Sequence, residues 1–455
     1  MSPGGCTHER GHIVDSRFFG AGYSTEASRR IFCDVCRFQR WLDVEAALAL
    51  SQAELGMIPP EAATAIAEAA RVDQLDLEQV RAEITRTGHS LVGLVSALQQ
   101  ACAPDAGQYV HFGATTQDIE DTGQCPEMRD VLNELDCLLK PLVADLADLA
   151  RTHAADAALG RTHAQPALPL GFGLKVASWI DELLRDTERL GQMRDRAPAA
   201  QLFGGVGTMA GFDGHGRKLI QVFAERLGLA VPTVGWHTAR DRVAEYVCAL
   251  AMTAGTLGRI ADELRTLSRP EFGEVELAWE HGMVGSSTMP HKRNPEACEQ
   301  VVALARLAAA QVAPALGAMA GDHERDGRSL RLEWACVPDV SHYCLAAAAI
   351  LRRAVSGLVV DKDRLAANVR AVRDDVSTER LMLLLAGPMG KQAAYAWVYE
   401  RSQRARSQRR GLKDELLREG DVLRYLTAEE LDEVRRGSQP EELSLRQSRA
   451  VRANL

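Results

Sequence analysis

Aromatic side chains are scarce in this sequence: Phe, Trp and Tyr make up 5% of the 455 residues. A core short of large rings must be filled by Leu, Val, Ile and Ala at close range, which favours helices lying side by side. Long hydrophobic runs are missing too. The longest uninterrupted apolar stretch, residues 343–351, falls far below the ~18 residues of a membrane span, so no membrane partner is expected. The opening MSPGGCTHERGH holds no apolar signal-peptide core, which points to a soluble, cytoplasmic protein. Positive charge is in deficit, with 53 Lys and Arg against 62 Asp and Glu and a net charge of −9, which argues against a nucleic-acid partner. No segment alternates β-branched and polar residues as a half-buried strand does. There is no low-complexity linker and no internal repeat.

What is present is helical periodicity. Over residues 237–268, Val243, Tyr246, Val247, Leu250, Ala254, Leu257, Ile260, Leu264 and Leu267 recur at three- and four-residue steps. That stretch predicts a rod of about 48 Å, stopped by Pro270. Similar patterns cover 126–155, 169–194, 294–319 and 334–355. Shorter helices are expected before 110, punctuated by Pro59-Pro60 and Thr87-Gly88, and again after 361. The expectation is an all-α protein of three helical domains, 1–110, 111–360 and 361–455. Long helices with apolar faces continue their packing into other subunits, so a homo-oligomer is expected.

Four features invite other readings. Ten cysteines are scattered along the chain, with one CxxC pair at Cys33 and Cys36 inside a helical pattern. No second pair completes a zinc site, so reduced, buried thiols are the expectation. His8-Glu9-Arg10-Gly11-His12 matches HExxH, but Gly11 interrupts a segment beside Pro3-Gly4-Gly5, and no metal is expected. Gly205-Val206-Gly207-Thr208-Met209-Ala210 fits a loose dinucleotide fingerprint without the preceding strand, and reads as a turn between helices. The basic stretch 401–418 reads as a solvated helix face or surface tail, with an anion-binding patch for a phosphorylated partner as the alternative.

One segment stands apart: Gly285-Ser286-Ser287-Thr288-Met289-Pro290-His291-Lys292-Arg293-Asn294-Pro295. Small residues leave its backbone exposed, and Asn294 is placed to cap the helix that follows. Exposed N–H groups, a lysine and an amide together suit a carboxylate. A serine beside such cations gains basicity, because positive potential stabilises its alkoxide.

This segment resembles the signature loop of the fumarase/aspartase superfamily. His111-Phe112-Gly113-Ala114-Thr115-Thr116-Gln117-Asp118 is similar to that superfamily's first block, and Gly160-Arg161-Thr162-His163-Ala164-Gln165-Pro166 to its second, in the same order. The likeness runs from about residue 15 to 400. It implies an all-helical protomer, a homotetramer with a core of about twenty helices, and active sites built from three subunits. It also implies anti β-elimination from a succinyl group without metal or organic cofactor. On this resemblance Ser286 would take the Cβ proton and His163 would protonate or orient the leaving group. Thr115, Thr116, Gln165, Lys292 and Asn294 would bind the substrate and its dianionic intermediate, together with His89, Ser90, Arg240 and Arg325.

The pattern resembles most the branch holding 3-carboxy-cis,cis-muconate cycloisomerases and adenylosuccinate lyases, with departures. Leu330 and Trp334 stand where the latter hold a nucleotide phosphate. Leu330-Arg331 replaces the Trp-His of the former, Ala239 replaces a Gln, and Thr116 replaces a Ser. Arg325, Arg328 and Arg331 add cations beside one substrate-facing segment, which suits a small, multiply anionic dicarboxylate such as nitrosuccinate. Carboxymuconate cyclisation, adenylosuccinate cleavage and a scaffold without turnover are the alternatives.

Overall fold

The computed structural model describes residues 11–279, 282–372 and 376–436, and they form an all-α protein. The long helices are Thr116–Thr152, Phe172–Arg196, Asp241–Leu267 and Gly327–Ser356. Their periodic residues are buried as the spacing predicts: Leu132, Leu135, Val243, Leu250, Leu257, Val340 and Leu351 are all fully enclosed. Each such side chain contributes about 1.5–3 kcal/mol of burial. The Gly327–Ser356 helix runs on through Pro338. Tyr246 Oη and Ser341 Oγ, 2.8 Å apart, satisfy each other's polar atoms inside this apolar packing.

Helix ends depart from the hydrophobic pattern where the buried face is polar. Thr116–Thr152 begins ten residues before Pro126, because Asp118, Glu120, Asp121, Thr122 and Gln124 are buried there and carry no apolar periodicity. Asp241–Leu267 begins after His237, since His237 and Arg240 are buried in the turn that precedes it. The stretch after the signature loop is divided at Gln311 into Glu296–Ala310 and Val312–Gly317.

Two short antiparallel ladders interrupt the helices. Ala157–Thr162 pairs with Gln165–Gly171, and Val275–Glu276 with Val359–Val360. Neither was expected. Gly160, Pro166 and Pro169 break the alternation that marks a strand, and the second ladder spans two residues.

By length and mean hydropathy alone, the divided Glu296–Gly317 segment and the Gly327–Ser356 helix are long and apolar enough to cross a membrane, although no uninterrupted apolar run is. Within the second, 72% of the apolar window is buried in the protein, as in a core helix; within the first, 28% is.

The chain divides into two compact units. One takes in residues within 1–140, 184–261 and 297–352, the other residues within 141–183, 262–296 and 353–455. The second unit has its own core, in which Leu381, Leu385, Ala394, Val398, Leu412 and Leu416 pack together. The basic stretch is held on this core at Arg401 and Ala405, while Arg406, Arg409, Arg410 and Arg418 are exposed to solvent. Arg401 stacks on Trp397 at 3.8 Å and pairs with Glu419 at 2.9 Å, while Arg404 pairs with Glu400 and Glu419.

Candidate active site

In the first unit, the opening turns of Thr116–Thr152 form a buried polar framework. Asp118 accepts the backbone N–H of Thr115 (3.0 Å), Phe203 (3.0 Å) and Gly204 (2.9 Å), and contacts His237 Nε2 at 2.9 Å. The Gly-rich stretch after 203 is therefore a loop tied to this helix, with no strand before it. Asp121 receives a two-pronged bond from Arg240 (2.8 and 2.9 Å), whose Nε donates to Glu333 at 2.7 Å. Trp236 covers the guanidinium at 4.9 Å. Burial opposes the charge on Arg240, but Asp121 and Glu333 hold its proton affinity above the ordinary value. Arg240, expected against substrate, is 1% exposed and bonded to two carboxylates, Asp121 and Glu333.

Facing away from that framework, Thr115, Thr116, His89, Ser90 and Arg325 come together. Arg325 donates to Thr115 Oγ1. His89 Nδ1 accepts the N–H of Leu91 and Val92 (both 3.3 Å), so its proton sits on Nε2, aimed at Thr116 Oγ1 3.4 Å away. Ser90 donates to Glu120. Of the extra arginines, Arg328 is bound to Asp322 and Asp326, leaving Arg325 and Arg331 as the cations of this cluster. His111, in the first block, meets Glu45 at 2.6 Å. Burial opposes its charge, yet Glu45 raises its pKa overall, favouring the imidazolium.

The second unit carries the other two blocks. His163 and Ala164 form the two-residue turn of the Ala157–Thr162/Gln165–Gly171 hairpin, with φ of +50° and +62°. Both central residues of such a turn need positive φ, a geometry usually left to Asn-Gly. Here it puts an exposed imidazole at the apex, with Gln165 exposed beside it. The strand is anchored by Arg161, which donates to buried Glu274 (2.6 Å) and lies 4.6 Å from the Phe272 ring.

The 282–295 loop is built around Ser286. Its Oγ accepts the N–H of Thr288 (3.3 Å) and of Met289 (3.0 Å), so two amide dipoles converge on the oxygen that would become an alkoxide. These N–H groups, expected to face a substrate carboxylate, serve the serine. Asn294 donates to Gly285 O at 2.6 Å, closing the loop at its base. Gly285 is required there: a Cβ would lie 2.1 Å from Lys292 O. Lys292 is exposed and forms no ion pair among the described residues. No hydrogen bond among them joins this loop to His163 or Gln165.

Sequence reasoning missed Glu120, Asp121, His237 and Glu333. The available signal was a run of carboxylates inside an otherwise apolar helix pattern. Of the false leads, His8 and Glu9 of the HExxH match lie outside the described residues. The described thiols are not uniformly buried: Cys33 is exposed and, as the cap of Asp34–Glu54, accepts Cys36 N–H at 3.4 Å.

Residues 22–313 match the lyase family, and residues 376–438 match the adenylosuccinate lyase C-terminus. The chain is 36% identical to an N-acetyl-S-(2-succino)cysteine lyase of Dickeya dadantii over 421 residues, 92% of each chain. It is 36% identical to a 3-carboxy-cis,cis-muconate cycloisomerase of Pseudomonas aeruginosa over 428 residues, 93% of each. Among solved structures, a fumarate lyase from Mesorhizobium sp. BNC1 superposes with a TM-score of 0.87 at 31% identity, covering 95% of this chain and 99% of that one. With the three blocks in order on an all-helical scaffold, this chain belongs to the fumarase/aspartase superfamily and is one of its lyases.

Proposed function

We propose that the protein catalyses anti β-elimination from a C2-substituted succinate, releasing fumarate. The observation that carries this reading is the Ser286 hydroxyl with two backbone N–H groups directed at its oxygen. Donors aimed at a developing oxyanion stabilise it, typically by about 3–4 kcal/mol each in a closed site. Ser286 then removes the Cβ proton. Charge spreads into the adjacent carboxylate, and Lys292, Asn294, Thr115 and Thr116 bind that dianion. His163, at the apex of its turn, protonates or orients the leaving group, with Gln165 as a substrate contact. Nothing in the scheme calls on a cofactor or metal.

Nitrosuccinate is the substrate we favour, because Arg325 and Arg331 offer planar donors to a nitro group and a carboxylate. Elimination would give fumarate and nitrite. A thioether of succinate is a second reading, supported by 36% identity to a succinocysteine lyase across 92% of the chain. Carboxymuconate cyclisation is a third, supported by the matching identity to a cycloisomerase.

A homotetramer in the cytoplasm, with the three blocks meeting from different subunits, completes the reading. The apolar Glu296–Gly317 segment, mostly uncovered within one chain, supports it. The deciding experiment offers nitrosuccinate, N-acetyl-S-(2-succino)cysteine, adenylosuccinate and carboxymuconate to the enzyme. Fumarate would be followed by ultraviolet absorbance, and nitrite and thiol colorimetrically. Fumarate with nitrite is expected. Fumarate with thiol would replace the substrate, and lactone without fumarate would overturn the elimination.

A further inference from the structure

Glu120 carries a carboxyl group that the elimination leaves unused. It follows Thr116 by one helical turn, so both side chains leave the same face. It is 3% exposed. One oxygen accepts the Ser90 hydroxyl, and the other, Oε2, is buried with no hydrogen-bond partner among the described residues. Ser90 faces this group from the turn before Val92–Ala101, Arg331 from Gly327–Ser356, Arg37 from Asp34–Glu54, and Asp121 from its own helix, while His89 beside Ser90 meets Thr116. Arg37 is paired with Glu127, and Asp121 with Arg240. A buried carboxylate held by one neutral donor is poorly compensated. Burial, with Asp121, pushes its pKa up to about 7 against the pull of Ser90, Arg331 and Arg37.

We infer that Glu120 is a proton-linked positioning residue: it takes up a proton as the anionic substrate binds and turns the Ser90 hydroxyl toward that substrate. When ionised, Glu120 can only accept, so the Ser90 hydrogen is consumed and Ser90 presents a lone pair. When protonated, its O–H donates to Ser90 Oγ, and the Ser90 hydrogen is released for a substrate oxygen. Neutral Glu120 also stops competing with the substrate for Arg331. Both effects favour the same protonation state. The proton comes from solvent and returns there when product leaves; no substrate bond changes. The inference rests on the proposed function, in which Ser90 and Thr116 face the substrate.

Fumarate binding to the full chain, measured calorimetrically at pH 8 in two buffers of different ionisation enthalpy, is expected to draw in up to one proton. Glu120→Gln, neutral and still able to bond Ser90, should draw in none. KM of the wild type should rise by about tenfold per pH unit above pH 7 while kcat moves little, and the variant should stay flat. Ser90→Ala keeps the carboxyl and removes the hydroxyl it turns; it should bind fumarate more weakly than the wild type wherever the wild-type complex holds the proton, pH 8 included. Infrared difference spectra of the ligand-free protein should show a carboxylic-acid band that disappears between pH 6 and 8.5 and is missing from Glu120→Gln. No such band, or fumarate binding without proton uptake, would overturn this inference alone. Failure of fumarate to bind at any pH would overturn the elimination and this inference with it.

Discussion

Two regions assigned to one reaction are held by opposite means. The first turns of Thr116–Thr152 are buried, and Asp118 and Asp121 together accept hydrogen bonds from Thr115, Phe203, Gly204, His237 and Arg240. The 282–295 loop is largely exposed and is held by bonds within itself: two amides on Ser286 and Asn294 on Gly285. The first region fixes donors in place before any ligand arrives, at the cost of desolvating several charges. The second directs two backbone N–H groups at the oxygen we propose as the base, from within an exposed loop closed by its own bonds.

This contrast is broken most severely at Ser286. Replacing it by Ala should lower turnover by about 10²–10⁴-fold while urea denaturation shifts by less than about 0.5 kcal/mol. Retained turnover would remove Ser286 as the base. Arg240→Met should do the reverse in kind, destabilising the fold by about 3–5 kcal/mol because Asp121 and Glu333 are left buried without their partner. A stability near wild type would show that the framework compensates by protonation. The smallest effect is expected at the hairpin: Ala164→Gly should stabilise by about 0.5–1 kcal/mol, since Gly accepts the φ of +62° without the left-handed penalty. A loss of stability there would mean that the turn is not strained.

The long helices were legible because their apolar spacing survives burial, as at Val243, Leu250 and Leu257. The signature loop was legible as a departure in composition, and Ser286 and Asn294 hold the bonds that make it a structure. What could not be read is where polarity itself is buried. The helix start at Thr116 and the Asp121–Arg240–Glu333 brace carry no apolar period, so spacing left them unread and only the family resemblance singled out Arg240. The His163 turn was hidden for a different reason: its residue types contradict the backbone they adopt, and only the paired strands on either side enforce it.

The arginines after residue 400 have a consequence for how the molecule looks from outside. Arg401, Arg404 and Arg410 are met by Glu400, Glu415, Glu419 and Asp421 of the same small core. Their positive field is closed within a few ångströms. The charge this stretch leaves for a passing polyanion is that of Arg406, Arg409 and Arg418, which are exposed, and it is there that added salt screens.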